Sequence, residues 1–142
     1  LLIENLFPSP DLRHSLFCSI TDIQEFLSEI PTNVGLILDL GHLNVSSNIM
    51  GFDRNEFLNN YVGSFSDRLQ EIHVSENNGR YDEHLPINEN SWQLDFISKL
   101  NRANEPLNEK IICLEIRNST DREIRNSVLL VNEAIKGQKR ND

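Results

Sequence analysis

LQEIHVSENNGRYDEHLPI, residues 69–87, opens as a short run rich in aliphatic and β-branched residues and passes into a polar loop. Within a dozen positions it places His73, Asp82 and His84, in a chain of 142 residues with only four histidines. A solvated loop has no need of imidazole, and a buried strand seldom holds a polar group without a partner. The stretch therefore reads as a strand whose end and following loop serve one site.

The same rhythm recurs along the chain. LLIEN (1–5), VGLILDL (34–40), LQEIHVS (69–75) and KIICLEI (110–116) read as strands buried on both faces of a parallel sheet. Amphipathic helical segments alternate with them. Residues 19–30 carry Ile20, Ile23, Phe26, Leu27 and Ile30 on one face, with Ser19 or Thr21 as N-cap and Pro31 as a stop. Residues 53–68 open on Asp53 and place Phe57, Leu58, Tyr61, Val62 and Phe65 at helical spacing. Residues 91–100 start on Ser91 and bury Trp92, Leu94, Ile97 and Leu100. A last helix over about 119–136 begins at Ser119–Thr120 and carries Ile124, Val128, Leu129, Val131 and Ile135 before Gly137. The order βαβαβαβα predicts an α/β fold with right-handed crossovers and parallel strands, a single domain over residues 1–142.

Each strand ends in a residue able to bind a metal: Glu4, Asp39, His73 and Glu115, spaced one βα unit apart. Parallel strands bring their carboxyl ends to one rim, where barrels and open α/β sheets place their active sites. Three carboxylates packed together repel and force protonation, whereas a divalent cation such as Mn²⁺, Zn²⁺, Fe²⁺ or Mg²⁺ removes that penalty. The alternative is a structural cluster capping helix N-termini or pairing with arginine. A second group lies above the first. In DLGH, His42 follows Asp39 as the strand turns outward through Gly41, and in YDEH, Asp82 and His84 fall on the same side of an extended loop. His42, Asp82 and His84 can hold another cation, orient a substrate, serve the first site or be plain surface residues.

A formal charge of −9 disfavours a broad nucleic-acid surface, which needs clustered Lys and Arg. Cys18 and Cys113 lack CxxC spacing. Cys113, inside an apolar run, reads as a buried reduced thiol, which fits a cytoplasmic protein. No apolar run reaches the roughly 20 residues of a membrane span, and no signal pattern is visible. The chain begins at Leu1, directly on a strand, so further residues are expected upstream.

ENLF, LILDLGH, EIHVSENNGRYDEHLPI and LEI together resemble the second half of the xylose isomerase-like TIM barrels, the AP endonuclease family 2 domain. That superfamily holds sugar and sugar-phosphate isomerases and epimerases as well as endonuclease IV DNA-repair enzymes. The resemblance runs from Glu4 to the last helix and implies the C-terminal half of a (βα)₈ barrel of about 250 residues. It casts Glu4, Asp39, His73 and Glu115 as ligands of the central metal, and Glu4 and Glu115 also as the pair that moves protons in the epimerase members. In the endonuclease members, residues matching His42, Asp82 and His84 bind an additional zinc and Glu4 bridges two metals. The chain departs from the family at INEN (87–90), where many relatives carry a glycine-flanked acid. Asn88 and Asn90 are there expected to supply left-handed backbone angles.

The leading expectation is a metal-dependent isomerase or epimerase of carbohydrate metabolism, acting on a sugar or sugar phosphate with Mn²⁺ or Zn²⁺. The runner-up is an AP endonuclease with a multi-zinc cluster, favoured by the complete His42, Asp82, His84 set and opposed by the lack of a Lys/Arg-rich loop. A non-catalytic barrel fragment is the third class. Arg80 and Arg117, with Arg13, are candidates to bind a substrate phosphate or are plain surface residues. His14 reads as exposed, Trp92 as core rather than sugar-stacking, and Phe7 as lining the pocket or covering the rim. A lone half-barrel leaves two sheet edges open, so a missing N-terminal half or a second copy is expected to close it.

Overall fold

A computed structural model describes residues 1–9, 16–31, 33–102 and 109–137. Its four strands are β1 (Leu2–Glu4), β2 (Gly35–Asp39), β3 (Leu69–Val74) and β4 (Ile111–Leu114). They form one sheet in the order β1-β2-β3-β4, every neighbouring pair parallel. Between and after them run α1 (Ile20–Glu29), α2 (Leu40–Met50), α3 (Arg54–Phe65), α4 (Trp92–Arg102) and α5 (Asp121–Ile135). The α/β alternation expected from the apolar rhythm is present, and β1 and β4 are the sheet edges among the described residues.

Local chemistry fixes where the helices begin. Ser19 and Thr120 each form a capping box, accepting from the N–H of Asp22 and Glu123 while those carboxylates accept from the cap N–H. Asp53 caps α3 by accepting from Glu56 N–H at 2.8 Å. The core joins Leu36, Leu38, Ile72 and Val74 of the sheet to Ile23, Leu43, Phe57, Tyr61, Leu94, Ile97, Leu130 and Val131 of the helices. Each such buried side chain contributes about 1.5–3 kcal/mol through removal from water.

The structure departs from the sequence reading in five places. After Asp39 the chain enters α2 rather than turning outward: Asp39 is the N-cap, and its Oδ1 accepts from His42 N–H at 2.6 Å. Gly41 leaves room there, because a Cβ would lie 2.7 Å from Ser75 Oγ just after β3 and force that side chain to shift. On α5 the buried positions are Ser127, Leu130, Val131 and Ala134, whereas Ile124, Val128 and Leu129 remain 39–60% exposed. Cys113 is only half-buried because β4 is an edge strand, while Cys18 is buried; both are free thiols. Neither Asn88 nor Asn90 has a positive φ. That turn closes instead through side chains, Asn88 Oδ1 accepting from Asn90 N–H at 3.0 Å and Ser91 Oγ from Asn88 N–H at 2.9 Å. Finally, the loop at His84 is not extended, since its φ of 53° lies in the left-handed region. Among the described residues no helix is long and apolar enough to cross a membrane.

Candidate metal centre

Strand register delivers the four strand-end donors to one point. Glu4 closes β1, Asp39 closes β2 opposite His73 of β3, and Glu115 follows β4 with its N–H donated to Val74 O at 3.2 Å. One potential ligand atom from each of Glu4, Asp39, His73 and Glu115 lies within 4.8 Å of all the others. His73 Nδ1 is central: Glu4 Oε1 is 3.3 Å away, Glu115 Oε1 3.4 Å and Asp39 Oδ2 3.6 Å. Both His73 Nδ1 and Asp39 Oδ2 are buried without a hydrogen-bond partner. Buried polar atoms rarely go unpaired, and these two face the same gap with hard oxygen and imidazole donors around it. The donor set fits a divalent cation such as Mn²⁺ or Zn²⁺.

Electrostatics at this gap are set by proximity. Asp39, with Glu4 and Glu115 adding to it, raises His73 to about 11 against the opposing effect of burial. Burial pushes the Asp39 carboxyl up, but His73, His42 and the His42 backbone N–H outweigh it and hold Asp39 below its ordinary value. Without a metal, these neighbours favour the protonated His73 ring over the neutral one. Asp39 is pinned from behind by Asn5, whose Oδ1 accepts from Asp39 N–H at 2.7 Å and whose Nδ2 donates to Asp39 O at 3.0 Å.

The second group also assembles. Asp82 Oδ2 lies 3.4 Å from His42 Nε2 and 2.6 Å from His84 Nε2, and Asp82 Oδ1 is buried without a partner. The other ring nitrogens are held on main-chain carbonyls, His42 Nδ1 by Asn5 O and His84 Nδ1 by Glu115 O, both at 2.9 Å. The two groups touch, since His42 Nδ1 is 3.3 Å from Glu4 Oε1 and His84 Nδ1 is 3.8 Å from Glu115 Oε2.

Other candidates from the sequence fall around this centre. Arg80 and Arg117 are exposed; the Arg117 N–H donates to His84 O at 2.9 Å, which places its backbone beside the second group. Phe7 packs on His42 with ring centroids 4.9 Å apart. Trp92 is partly buried against the core and carries the Arg54 guanidinium 3.9 Å above its ring. Arg13 and His14 lie outside the described residues.

Three supporting residues escaped the sequence reading. Asn5 is one, following a strand-end ligand with nothing to mark it. Asn77 is another: it donates to Gly41 O at 2.9 Å and accepts from Asn44 Nδ2 at 2.8 Å and Gly79 N–H at 2.9 Å, tying the Asp82–His84 loop to α2. Glu71 is the third, with Oε1 3.1 Å from His73 Nε2.

The description of the xylose isomerase-like TIM barrel matches residues 1–139, and the chain belongs to that family. A protein of Methanocaldococcus jannaschii, the uncharacterized protein MJ1311, is 29% identical over 120 residues, covering 84% of this chain and 37% of the relative. A D-tagatose 3-epimerase-like protein superposes with a TM-score of 0.71 at 24% identity, over 94% of this chain and 45% of that one. That likeness establishes the fold. The chain thus spans less than half the length of either relative.

Proposed function

We propose that this chain carries the metal-binding part of a sugar or sugar-phosphate isomerase or epimerase. The observation that supports it is a division of labour among the four donors. Asp39 and His73, from the two inner strands, have side chains only 1% and 10% exposed, whereas Glu4 and Glu115, from the outer strands, are 27% and 33% exposed. The inner pair is suited to anchoring a cation, and the outer pair is open to a substrate. When bound, a divalent cation supplies Lewis acidity that polarises a carbonyl and its neighbouring hydroxyl and acidifies the adjacent C–H.

The protein's own part is proton movement. One glutamate carboxylate takes the C–H proton as general base, and the other returns a proton to the neighbouring carbon or opposite face. His73, fixed between them, holds both side chains within about one hydrogen-bond length of a common point. Arg80 and Arg117, both exposed, are the proposed contacts for a substrate phosphate. The name of the epimerase-like structural neighbour accords with this chemistry, and the acidity of the chain suits a small polyol better than duplex DNA.

Closing the barrel is part of the proposal. A preceding half, or a second copy, is inferred to cover the β1 and β4 edges and the exposed Ile111, Ile124, Val128 and Leu129. A second reading, phosphodiester cleavage by a multi-metal cluster, draws on the meeting of His42, Asp82 and His84 beside Glu4. A panel of ketoses in deuterated water separates the two. Solvent deuterium appearing at a sugar carbon, and lost in Glu4→Gln and Glu115→Gln, supports proton transfer. Cleavage of an abasic-site oligonucleotide with no deuterium uptake supports the second reading instead.

A further inference from the structure

The three imidazoles at the rim are not held alike. His42 and His84 each place Nδ1 against a main-chain carbonyl, leaving Nε2 toward Asp82. His73 is turned the other way. Its Nε2 meets the Glu71 carboxylate at 3.1 Å, and its Nδ1 faces Glu4, Asp39 and Glu115. Glu71 is two residues back on β3, so the period of the strand puts both side chains on one face.

A carboxylate offers only acceptor oxygens, so the Glu71 contact is a hydrogen bond only when Nε2 carries the proton. The neutral ring then presents its lone pair at Nδ1, the buried atom without a hydrogen-bond partner. The opposite tautomer sets an Nε2 lone pair against the carboxylate and turns an N–H into the gap. We propose that Glu71 is the positioning residue of the centre. It selects the Nε2–H tautomer of His73, fixes the ring plane and raises the basicity of Nδ1 toward a divalent cation. This rests on the metal-centre reading above and adds to it a residue outside the four donors.

A rival arrangement exists on the same atoms. Glu71, His73 and Cys113 also place ligand atoms within 4.8 Å of one another. A soft metal there would use His73 Nε2 and exclude the proton that Glu71 is proposed to hold.

The test uses the full-length protein, stripped of metal and titrated calorimetrically with manganese and zinc. Four forms are compared: wild type, Glu71→Gln, which keeps an acceptor oxygen, Glu71→Leu, which removes it, and His73→Ala. Glu71→Leu is expected to weaken binding about 10- to 100-fold, with Glu71→Gln between it and wild type. Long-range ¹H–¹⁵N spectra of the zinc-loaded protein are expected to show the His73 proton on Nε2 in wild type and Glu71→Gln. Wild-type affinity in Glu71→Leu overturns the role of Glu71 while leaving the metal centre standing. Wild-type affinity in His73→Ala overturns the metal centre itself. A thiolate-to-metal charge-transfer band in the cobalt-loaded protein makes Cys113 a ligand and overturns the proposal in favour of the rival site.

Discussion

Asp82 Oδ2 stands 2.6 Å from Nε2 of His84, a ring whose other nitrogen is already 2.9 Å from the Glu115 carbonyl. With Nδ1 donating to that carbonyl, Nε2 and the carboxylate are both acceptors unless a proton or a cation lies between them. Proton transfer on a polyol needs no cation there. Manganese added to the stripped protein is expected to saturate at one equivalent per chain, unchanged in Asp82→Asn. Saturation at two equivalents, falling to one in Asp82→Asn, would bring the second group into the metal cluster and favour phosphodiester cleavage.

Proton release should accompany metal binding. With its folded value raised to about 11, His73 is cationic at neutral pH in the metal-free protein and must lose its proton to become a ligand. Apparent affinity should therefore climb about tenfold per pH unit on the alkaline side of neutrality. Calorimetry in buffers of different ionisation enthalpy measures the proton directly. The sign for stability is the reverse. A raised histidine stabilises the metal-free fold fully below its unfolded value near 6.5, and that contribution is lost as pH rises through about 11. In chelator, thermal stability should fall over that window. A flat profile would contradict the assignment.

Removing the imidazole should be costly even without metal. His73→Ala leaves Asp39, with its side chain 1% exposed, facing Glu4 and Glu115 with no neighbouring cation on β3. Loss of one partner of a buried pair costs about 3–5 kcal/mol. Urea denaturation in chelator reads this out. A change below about 1 kcal/mol would mean that the carboxylates are relieved by water rather than by His73.

Asn77 is expected to control the loop that carries Asp82 and His84. Its carbonyl and amide serve Asn44, Gly79 and Gly41 at once, so Asn77→Ala strands several buried partners at about 1–3 kcal/mol. Hydrogen exchange should quicken over residues 76–85 and stay unchanged in β2. Uniform acceleration across the sheet would point to global destabilisation instead.

What the sequence made legible follows from burial. Glu4, Asp39, His73 and Glu115 stand out because each ends an apolar run, and parallel pairing then gathers them. The helix α2 left no such trace: Leu40 through Ser47 are all buried, so no amphipathic stripe forms, and its Asn and Ser residues are poor helix formers. The buried face of α5 is not legible in the sequence because Ser127, a polar residue, occupies the core, where its hydroxyl accepts from Ile87 N–H at 3.1 Å and donates to Glu123 O at 2.9 Å. Glu71 was hidden for a related reason. A glutamate in mid-strand reads as a solvent-facing residue until the His73 ring is seen beside it.

The most direct measurement is anomalous scattering from crystals of the full-length protein grown with zinc or manganese. One peak is predicted at about 2.0–2.3 Å from Nδ1 of His73 and from an oxygen of each of Asp39, Glu4 and Glu115. A peak elsewhere, with those four side chains still paired only to one another, would contradict the central claim.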